Sequence, residues 1–206
     1  MLHPESVGAD TLELLRQLQQ EPCLERTRLA GGTALALQLG HRKSDDLDLF
    51  GPVPGEHLEL EETLRAHGAV SLVSRSRRIQ VCTVRGIKVG LVDDPFPWLA
   101  EAVVGDGLRL AACQDLEAMA LAAITNRGSR RDFIDLAFLL EQFPLPAMLA
   151  LYRRKYADAS LFPVLKSLTY FDDADEDPMP CMLRPCDWDH AKQRIADSVS
   201  VASRAS

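Results

Sequence analysis

Residues 30–50 of this 206-residue chain read AGGTALALQLGHRKSDDLDLF. Two glycines and a threonine open a short apolar run that ends at Gly40, which predicts a glycine corner leading into a helix. A basic turn follows, and then two aspartates one residue apart, Asp46 and Asp48, at the start of an apolar strand. Because side chains i and i+2 of a strand point to the same face, we expect both carboxylates on one face.

The order of these motifs indicates a chemistry. Two carboxylates held this close repel each other unless a cation lies between them, and Mg²⁺ suits the place because it takes oxygen ligands and leaves positions for water and phosphate. The corner Gly31-Gly32-Thr33 lets backbone N–H groups approach a phosphate at the positive end of the helix. Each motif alone is commonly a plain turn or strand end, but together they predict a site for a nucleoside triphosphate and its metal.

The composition indicates a globular protein. Hydrophobic residues make up 47% of the chain and charged residues 26%, and no apolar run approaches the ~18 residues that a membrane span needs. The start MLHPESVGAD lacks the basic and apolar regions of a secretory signal, and five dispersed cysteines argue against a disulfide framework. We therefore predict a cytoplasmic location. The net charge of −7 disfavours nucleic-acid binding by the whole surface, although arginine clusters can bind phosphate locally.

Hydrophobic periodicity predicts an α+β fold, a mixed sheet with helices followed by a helical C-terminal part. The predicted strands are 27–30, 47–50, 69–74, 79–84 and 87–92, of which the last two form an antiparallel hairpin, and residues 94–97 end the sheet. The predicted helices include 10–18 with a capping box at Asp10 and Glu13, 34–39 capped by Thr33, 56–68, one starting near 114, one capped by Ser129 and Asp132, then 146–156, 158–170 and 187–201. Residues 172–180 are expected to form a solvated acidic loop, with Ca²⁺ binding as the alternative.

A family resemblance rests on these residues. The stretch LAGGTALALQLGHRKSDDLDLF resembles the G-G-[ST] … D-x-D signature of the polymerase-β-like nucleotidyltransferase superfamily. It is most similar to the AbiEii/AbiGii-type proteins, the toxin half of abortive-infection toxin–antitoxin systems. The likeness continues in DLEAMALAAITNRGSRRDFIDLAFLL, which resembles the helix pair of that family, and in LFPVLKSLTYFDDADEDPMP with Trp188.

The resemblance implies a fold and a reaction. It implies a nucleotidyltransferase-type mixed sheet flanked by helices, with residues 1–110 as the core and 111–206 as a helical region packed on it. It also implies transfer of a nucleoside monophosphate from Mg²⁺–NTP to a hydroxyl of an RNA, such as a tRNA end, or of a protein. A cognate antitoxin is the implied partner.

The resemblance assigns roles residue by residue. The residues implied to bind nucleotide are Gly31, Gly32, Thr33, Arg42, Lys43, Ser44 and Arg127. Those implied to be catalytic are Asp46 and Asp48, which also hold the metal, together with the D-x-x-D aspartates Asp132 and Asp135. A structural interpretation stays open for the last pair, because Asp132 suits a helix start with its Ser129 cap and Asp135 lies within reach of nearby arginines.

Two positions depart from the family pattern. A third carboxylate is expected on a neighbouring strand, in a K-V-D pattern, where this chain has Gly90. Asp94 shares the strand parity of Gly90 but lies about 13 Å further along, and Asp93 has the opposite parity, so neither is an evident replacement. The family's lysine, which would offset triphosphate charge, is Ala120 here. Two hypotheses follow: a working nucleotidyltransferase, or a degenerate relative that binds nucleotide, RNA or a partner protein without transfer.

Overall fold

The computed structural model describes residues 2–53 and 57–204. The chain divides into two compact units. The first comprises Met1–Pro95 and Glu101–Ala111, and the second comprises Phe96–Ala100 and Ala112–Ser206. Among the described residues, none of the helices combines the length and the apolar character that crossing a membrane requires.

The first unit is built on a mixed sheet, as the sequence predicts. Within the described residues it has seven strands in the order β3-β4-β5-β2-β1-β7-β6. The strands are β1 (Arg28–Ala30), β2 (Leu47–Phe50), β3 (Val70–Arg75), β4 (Ile79–Val84), β5 (Ile87–Val92), β6 (Val103–Gly105) and β7 (Leu108–Leu110). Strand β2 runs antiparallel to β1 and parallel to β5, while β1 runs parallel to β7. The β3–β4, β4–β5 and β6–β7 pairs are antiparallel.

The predicted hairpin between β4 and β5 is confirmed. Its two turn residues, Arg85 and Gly86, have φ angles of 53° and 81°, the left-handed pair that a two-residue hairpin turn requires. The prediction that the sheet ends at residues 94–97 is wrong, because β6 and β7 extend it. Each of these strands has three residues, too few to show a period of two, and their turn repeats the left-handed pair at Asp106 and Gly107.

In the described part of the first unit, the sheet is accompanied by the α-helices α1 (Ala9–Leu18), α2 (Gly31–Leu39) and α3 (His57–Ala66). Helix α1 is amphipathic and buries Leu14, Leu15 and Leu18. The capping box predicted for it is wrong, since α1 starts after Gly8, which is fixed instead by a hydrogen bond from its N–H to Asp45 Oδ1 at 2.7 Å. Of the predicted helix 56–68, residue 56 lies outside the described residues, and α3 ends before 67.

The second unit is helical, as predicted. Its helices are α4 (Cys113–Asn126), α5 (Arg130–Leu139), α6 (Leu145–Lys155), α7 (Leu161–Ser167), α8 (Asp172–Glu176) and α9 (Trp188–Arg204). Helix α4 packs against α5, α6 and α7, and α9 packs against α5 and α6. Fully buried side chains from three of these helices, Phe133, Met148 and Ile195, belong to its core.

The loop predicted for residues 172–180 is partly wrong, because its first five residues form α8. Acidic side chains of this segment form hydrogen bonds within the chain. Asp175 Oδ1 accepts hydrogen bonds from Trp188 Nε1 at 2.6 Å and from Lys192 Nζ at 3.0 Å. Asp177 Oδ2 accepts one from the N–H of Arg130 at 2.9 Å. Within residues 2–53 and 57–204, no group of three or more His, Cys, Asp or Glu side chains is arranged to hold a metal ion.

A buried ion pair fixes residues 96–100 within the second unit. Lys155 Nζ lies 3.0 Å from Asp115 Oδ1, with both side chains 0% exposed. The same ammonium donates to the carbonyl of Pro97 at 3.1 Å, and the Asp115 carboxylate accepts the N–H of Leu99 at 3.0 Å. These four contacting groups join α4, α6 and the short segment, so each buried charge has both an opposite charge and a backbone partner.

Candidate active site

The glycine corner and the second aspartate of the D-x-D motif are in contact. Ala30, the last residue of β1, pairs with Asp48 of β2, and α2 begins at the next residue, Gly31. Gly31 has a φ of +65°, and a Cβ on it would lie 3.1 Å from Asp48 Oδ2. A side chain at this position would therefore be strained and would crowd the carboxylate.

Thr33 connects α2 to the residues before β2. Its hydroxyl donates to the carbonyl oxygen of Asp46 at 2.5 Å and lies 2.8 Å from the hydroxyl of Ser44. The prediction that Thr33 caps α2 is wrong, since the helix begins two residues earlier, at Gly31, which leaves the Thr33 side chain inside the first turn. Thr33 and Ser44 thus hold the D-x-D strand against the start of the helix.

The two basic candidates of the turn differ in exposure. Arg42 is only 4% exposed, and its Nη1 donates to the carbonyl of Lys43 at 3.0 Å. Lys43 is exposed, and its ammonium donates to the carbonyl of Glu5. Both side chains contribute to fixing the turn, and the phosphate contacts implied for them stay predictions.

The sheet register brings Gly90 and Lys88 beside the two aspartates. In the parallel β2–β5 pair, Asp48 lies opposite Gly90 and Leu47 opposite Val89. A Cβ at position 90 would lie 2.6 Å from Asp48 Oδ1. The Asp48 carboxylate therefore lies between Gly31, which follows β1, and Gly90 of β5. It occupies the space that a side chain at position 90 would fill.

Asp46, two residues before Asp48, lies close to Lys88 of β5. Lys88 Nζ lies 3.4 Å from Asp46 Oδ2, and the side chains are 49% and 36% exposed. Sequence reasoning missed this pair. The available signal was strand parity, because residues 88 and 90 of one strand share a face with the residues opposite them.

The donor set fits one divalent metal ion. Two neighbouring carboxylates, completed by water and phosphate oxygens, satisfy the coordination that Mg²⁺ prefers. A second metal ion in the two-metal arrangement needs a further carboxylate, and the position beside Asp48 that would supply it is Gly90. The residues present therefore fit a one-metal site rather than a two-metal site.

The remaining site candidates belong to the second unit. Arg127 binds Asp132 through two hydrogen bonds, Nε to Oδ2 at 2.8 Å and Nη2 to Oδ1 at 2.7 Å. Asp132 also accepts the hydroxyl and the N–H of Ser129, which confirms the predicted capping box at the start of α5. Asp132 and Asp135 are 4% and 3% exposed. Helix capping accounts for Asp132, and a catalytic role for either aspartate stays a prediction.

A buried carboxyl in α4 was also missed by sequence reasoning. Glu117 is 2% exposed, and burial raises the pKa of its carboxyl from 4.5 to about 7. It lies next to Ala118 in the apolar run LEAMALAAI, where the sequence pattern alone predicts a buried helix without indicating which face the glutamate takes.

The stretch of sequence that builds this geometry matches a known protein family. The family model described as nucleotidyl transferase AbiEii toxin, type IV toxin–antitoxin system, matches residues 13–86, which include the glycine corner and the D-x-D motif. An uncharacterized protein of Aquifex aeolicus (strain VF5) is 32% identical over 155 residues, covering 72% of this chain and 75% of that protein.

Two solved structures share the fold. JHP933 from Helicobacter pylori is 16% identical with a TM-score of 0.57, over 97% of this chain and 94% of that one. MenT4, a nucleotidyltransferase toxin from Mycobacterium tuberculosis H37Rv, is 16% identical with a TM-score of 0.54, over 94% of this chain and 82% of that one. At these identities the likeness concerns the fold.

Proposed function

The chain belongs to the AbiEii family of nucleotidyltransferase toxins, and we propose that it binds a nucleoside triphosphate with one Mg²⁺ ion while transferring nucleotide at or near background rate. The binding half of the family's site is retained in the glycine corner, Asp46 and Asp48. The half that activates an acceptor hydroxyl is not retained. The observation that carries this proposal is Gly90, which lies opposite Asp48 in the register of β2 and β5.

The retained residues suit binding. The N–H groups at the start of α2 point toward the helix N-terminus, where a phosphate is favoured by the helix dipole. Asp46 and Asp48 would hold the metal ion, which when bound would neutralise phosphate charge. Thr33 contributes indirectly, because its hydrogen bond to the Asp46 carbonyl fixes the distance between corner and strand.

The missing residues suit slow transfer. In nucleotidyl transfer, an acceptor hydroxyl loses its proton, its oxygen bonds to the α-phosphorus, and the bond from that phosphorus to pyrophosphate breaks. A third carboxylate near Asp48 would assist the deprotonation, and a lysine would offset charge on the leaving pyrophosphate. This chain has Gly90 and Ala120 at those positions, so both steps lose their stabilising group.

The competing hypothesis is an active enzyme that carries out the family reaction. That reaction transfers a nucleoside monophosphate from Mg²⁺–NTP to an RNA or protein hydroxyl. Membership of a toxin–antitoxin family supports a cognate antitoxin as the partner and a cytoplasmic site of action. Co-purification of the chain with the product of an adjacent gene tests the partner, and recovery of the tagged chain alone from its native host contradicts it.

Calorimetric titration tests the binding half of the proposal. Each of the four NTPs is titrated with and without Mg²⁺ into wild type, Asp46→Asn and the neighbouring Asp45→Asn. We expect Mg²⁺-dependent binding that falls about tenfold in Asp46→Asn, because one charged ligand is lost, and stays unchanged in Asp45→Asn, whose carboxylate accepts the N–H of Gly8 instead. Equal affinity with and without Mg²⁺, or equal loss in both variants, contradicts a metal site at Asp46.

A further inference from the structure

Lys88 of β5 places a positive charge beside Asp46, the first aspartate of the D-x-D motif. Its ammonium lies 3.4 Å from Asp46 Oδ2. Lys88 and Gly90 are two residues apart on β5, so they share a face, and Gly90 lies opposite Asp48 on that same face. The lysine therefore lies on the same face of the sheet as the proposed metal ligands. Its positive charge would repel any metal ion bound to Asp46.

The Lys88–Asp46 pair is readily broken. Both side chains are substantially exposed, at 49% and 36%, and exposed ion pairs contribute about 0–1 kcal/mol. A divalent ion at Asp46 repels the ammonium at a separation of a few ångström. Lys88 also has a long flexible side chain, which lets the ammonium move several ångström while its backbone stays in β5.

A triphosphate offers Lys88 a second partner. The glycine corner lies on one side of Asp48 and Lys88 lies on the other side of the aspartate pair, two strand spacings or about 10 Å away. A triphosphate held at the corner, with Asp46 and Asp48 holding the metal ion, would extend toward β5. The ammonium can then leave Asp46 and contact a phosphate oxygen without crossing the sheet.

We propose that Lys88 exchanges partners during binding: it pairs with Asp46 in the ligand-free protein and moves to the triphosphate when nucleotide binds, which leaves Asp46 to the metal ion. This inference rests on the proposed function, since it needs metal and nucleotide to share the site. It makes Lys88 a binding residue that couples the two ligands. Nucleotide withdraws the competing ammonium from Asp46 and so raises metal affinity, and by linkage the metal raises nucleotide affinity by the same factor.

The exchange predicts effects of opposite sign for the two ligands. In Lys88→Gln, we expect Mn²⁺, used as a paramagnetic stand-in for Mg²⁺, to bind the nucleotide-free protein about fivefold more tightly, because the ammonium no longer competes for Asp46. In EDTA, we expect NTP to bind about fivefold more weakly, because the triphosphate has lost a cation. The factor by which nucleotide enhances Mn²⁺ binding is expected to fall by a similar amount.

The experiment measures free Mn²⁺ by its electron paramagnetic resonance signal, and nucleotide by calorimetry, for wild type, Lys88→Gln, Lys88→Arg and Lys166→Gln. The affinity of Mn²⁺ for free nucleotide is the same for every variant and cancels in the comparison of enhancement factors. Lys88→Arg keeps the charge and is expected to stay within about twofold of wild type. Lys166→Gln removes an exposed lysine of the other unit and serves as the matched control.

The outcomes separate the two proposals. The inference is supported when Lys88→Gln alone strengthens Mn²⁺ binding, weakens NTP binding and lowers the enhancement factor. It is overturned when both single affinities change but the enhancement factor does not, since a lysine that stays in place gives that result. It is also overturned when wild type binds metal and nucleotide through Asp46 yet Lys88→Gln behaves as wild type. Absence of nucleotide binding by wild type overturns the proposed function as well.

Discussion

Gly90 lies directly opposite Asp48 across the parallel β2–β5 pair, and a Cβ at position 90 would lie 2.6 Å from Asp48 Oδ1. Real Cβ atoms do not come so close to an oxygen, so any side chain at 90 requires the Asp48 carboxylate to rotate. The lack of a carboxylate side chain at position 90 therefore also affects the position of Asp48. This absence lets Asp48 take a position over the neighbouring strand that a side chain at 90 would exclude.

Gly90→Ala is expected to weaken Mn²⁺ and NTP binding, because the new methyl group displaces the Asp48 carboxylate from its position. We expect a loss of about tenfold in each, on the scale of one charged contact. Gly105→Ala is the matched control, since that strand glycine has only Leu2 near its Cβ position, at 3.6 Å. Unchanged binding in Gly90→Ala would show that the position of Asp48 is unimportant for the ligands.

Gly31→Ala and Gly86→Ala separate backbone strain from the site. Both glycines have left-handed φ angles, +65° and +81°, so each substitution is expected to lower the free energy of unfolding by about 1 kcal/mol. Only position 31 faces Asp48, and position 86 has nothing within 4 Å of its Cβ. We therefore expect NTP affinity to fall in Gly31→Ala alone. A similar loss of affinity in both variants would assign the effect to general destabilisation.

The glycine corner and the D-x-D strand could be predicted because their signals are local. Gly31 and Gly40 both have left-handed φ angles at the positions where the sequence places a corner and a helix end. The β4–β5 hairpin follows from its two-residue connection for the same reason. Strands β6 and β7 were missed although Asp106-Gly107 is a two-residue hairpin signal, because each strand has only three residues, too few to show a period of two.

The contacts of the site depend on register, which the sequence does not state. The break at Gly90 was visible from the family pattern, but the position of Asp48 over it depends on how β2 and β5 align. The Lys88–Asp46 pair depends on the same alignment. The buried partner of Lys155 could not be predicted either, because Asp115 is 40 residues away along the chain and basic clusters are usually solvated.

Lys155→Met is expected to destabilise the second unit strongly. It leaves the buried Asp115 carboxylate without its opposite charge, which costs about 3–5 kcal/mol. Lys192→Met removes a more exposed pair with Asp175 and Asp189 and is expected to cost less than about 1 kcal/mol. Chemical denaturation followed by circular dichroism measures both. Equal small losses would mean that the Lys155–Asp115 pair is not buried in solution.

Glu117 gives the stability a pH dependence of known sign. Burial raises the pKa of its carboxyl from 4.5 to about 7, so the folded state holds an extra proton between these values. The favourable contribution is present below pH 4.5 and is lost as the pH rises to about 7. Glu117→Gln is expected to flatten this decline and to stabilise the protein at pH 8 by at most about 3 kcal/mol.

Urea denaturation from pH 4 to pH 8 measures this effect, with the exposed Glu62→Gln as the control. The Glu117→Gln and wild-type curves are expected to converge near pH 4, to separate progressively from about pH 4.5, and to run parallel above about pH 7. Parallel curves over the whole range would place the Glu117 carboxyl in water.

An assay of nucleotide transfer tests whether the site binds Mg²⁺–NTP but lacks the groups for efficient transfer. Wild type and Asp48→Asn are incubated with Mg²⁺, each α-labelled NTP, total tRNA and a protein extract, at concentrations where calorimetry shows nucleotide bound to wild type. We expect covalent label at background level on both RNA and protein, equal in the two proteins. Robust label with wild type that disappears in Asp48→Asn would contradict it.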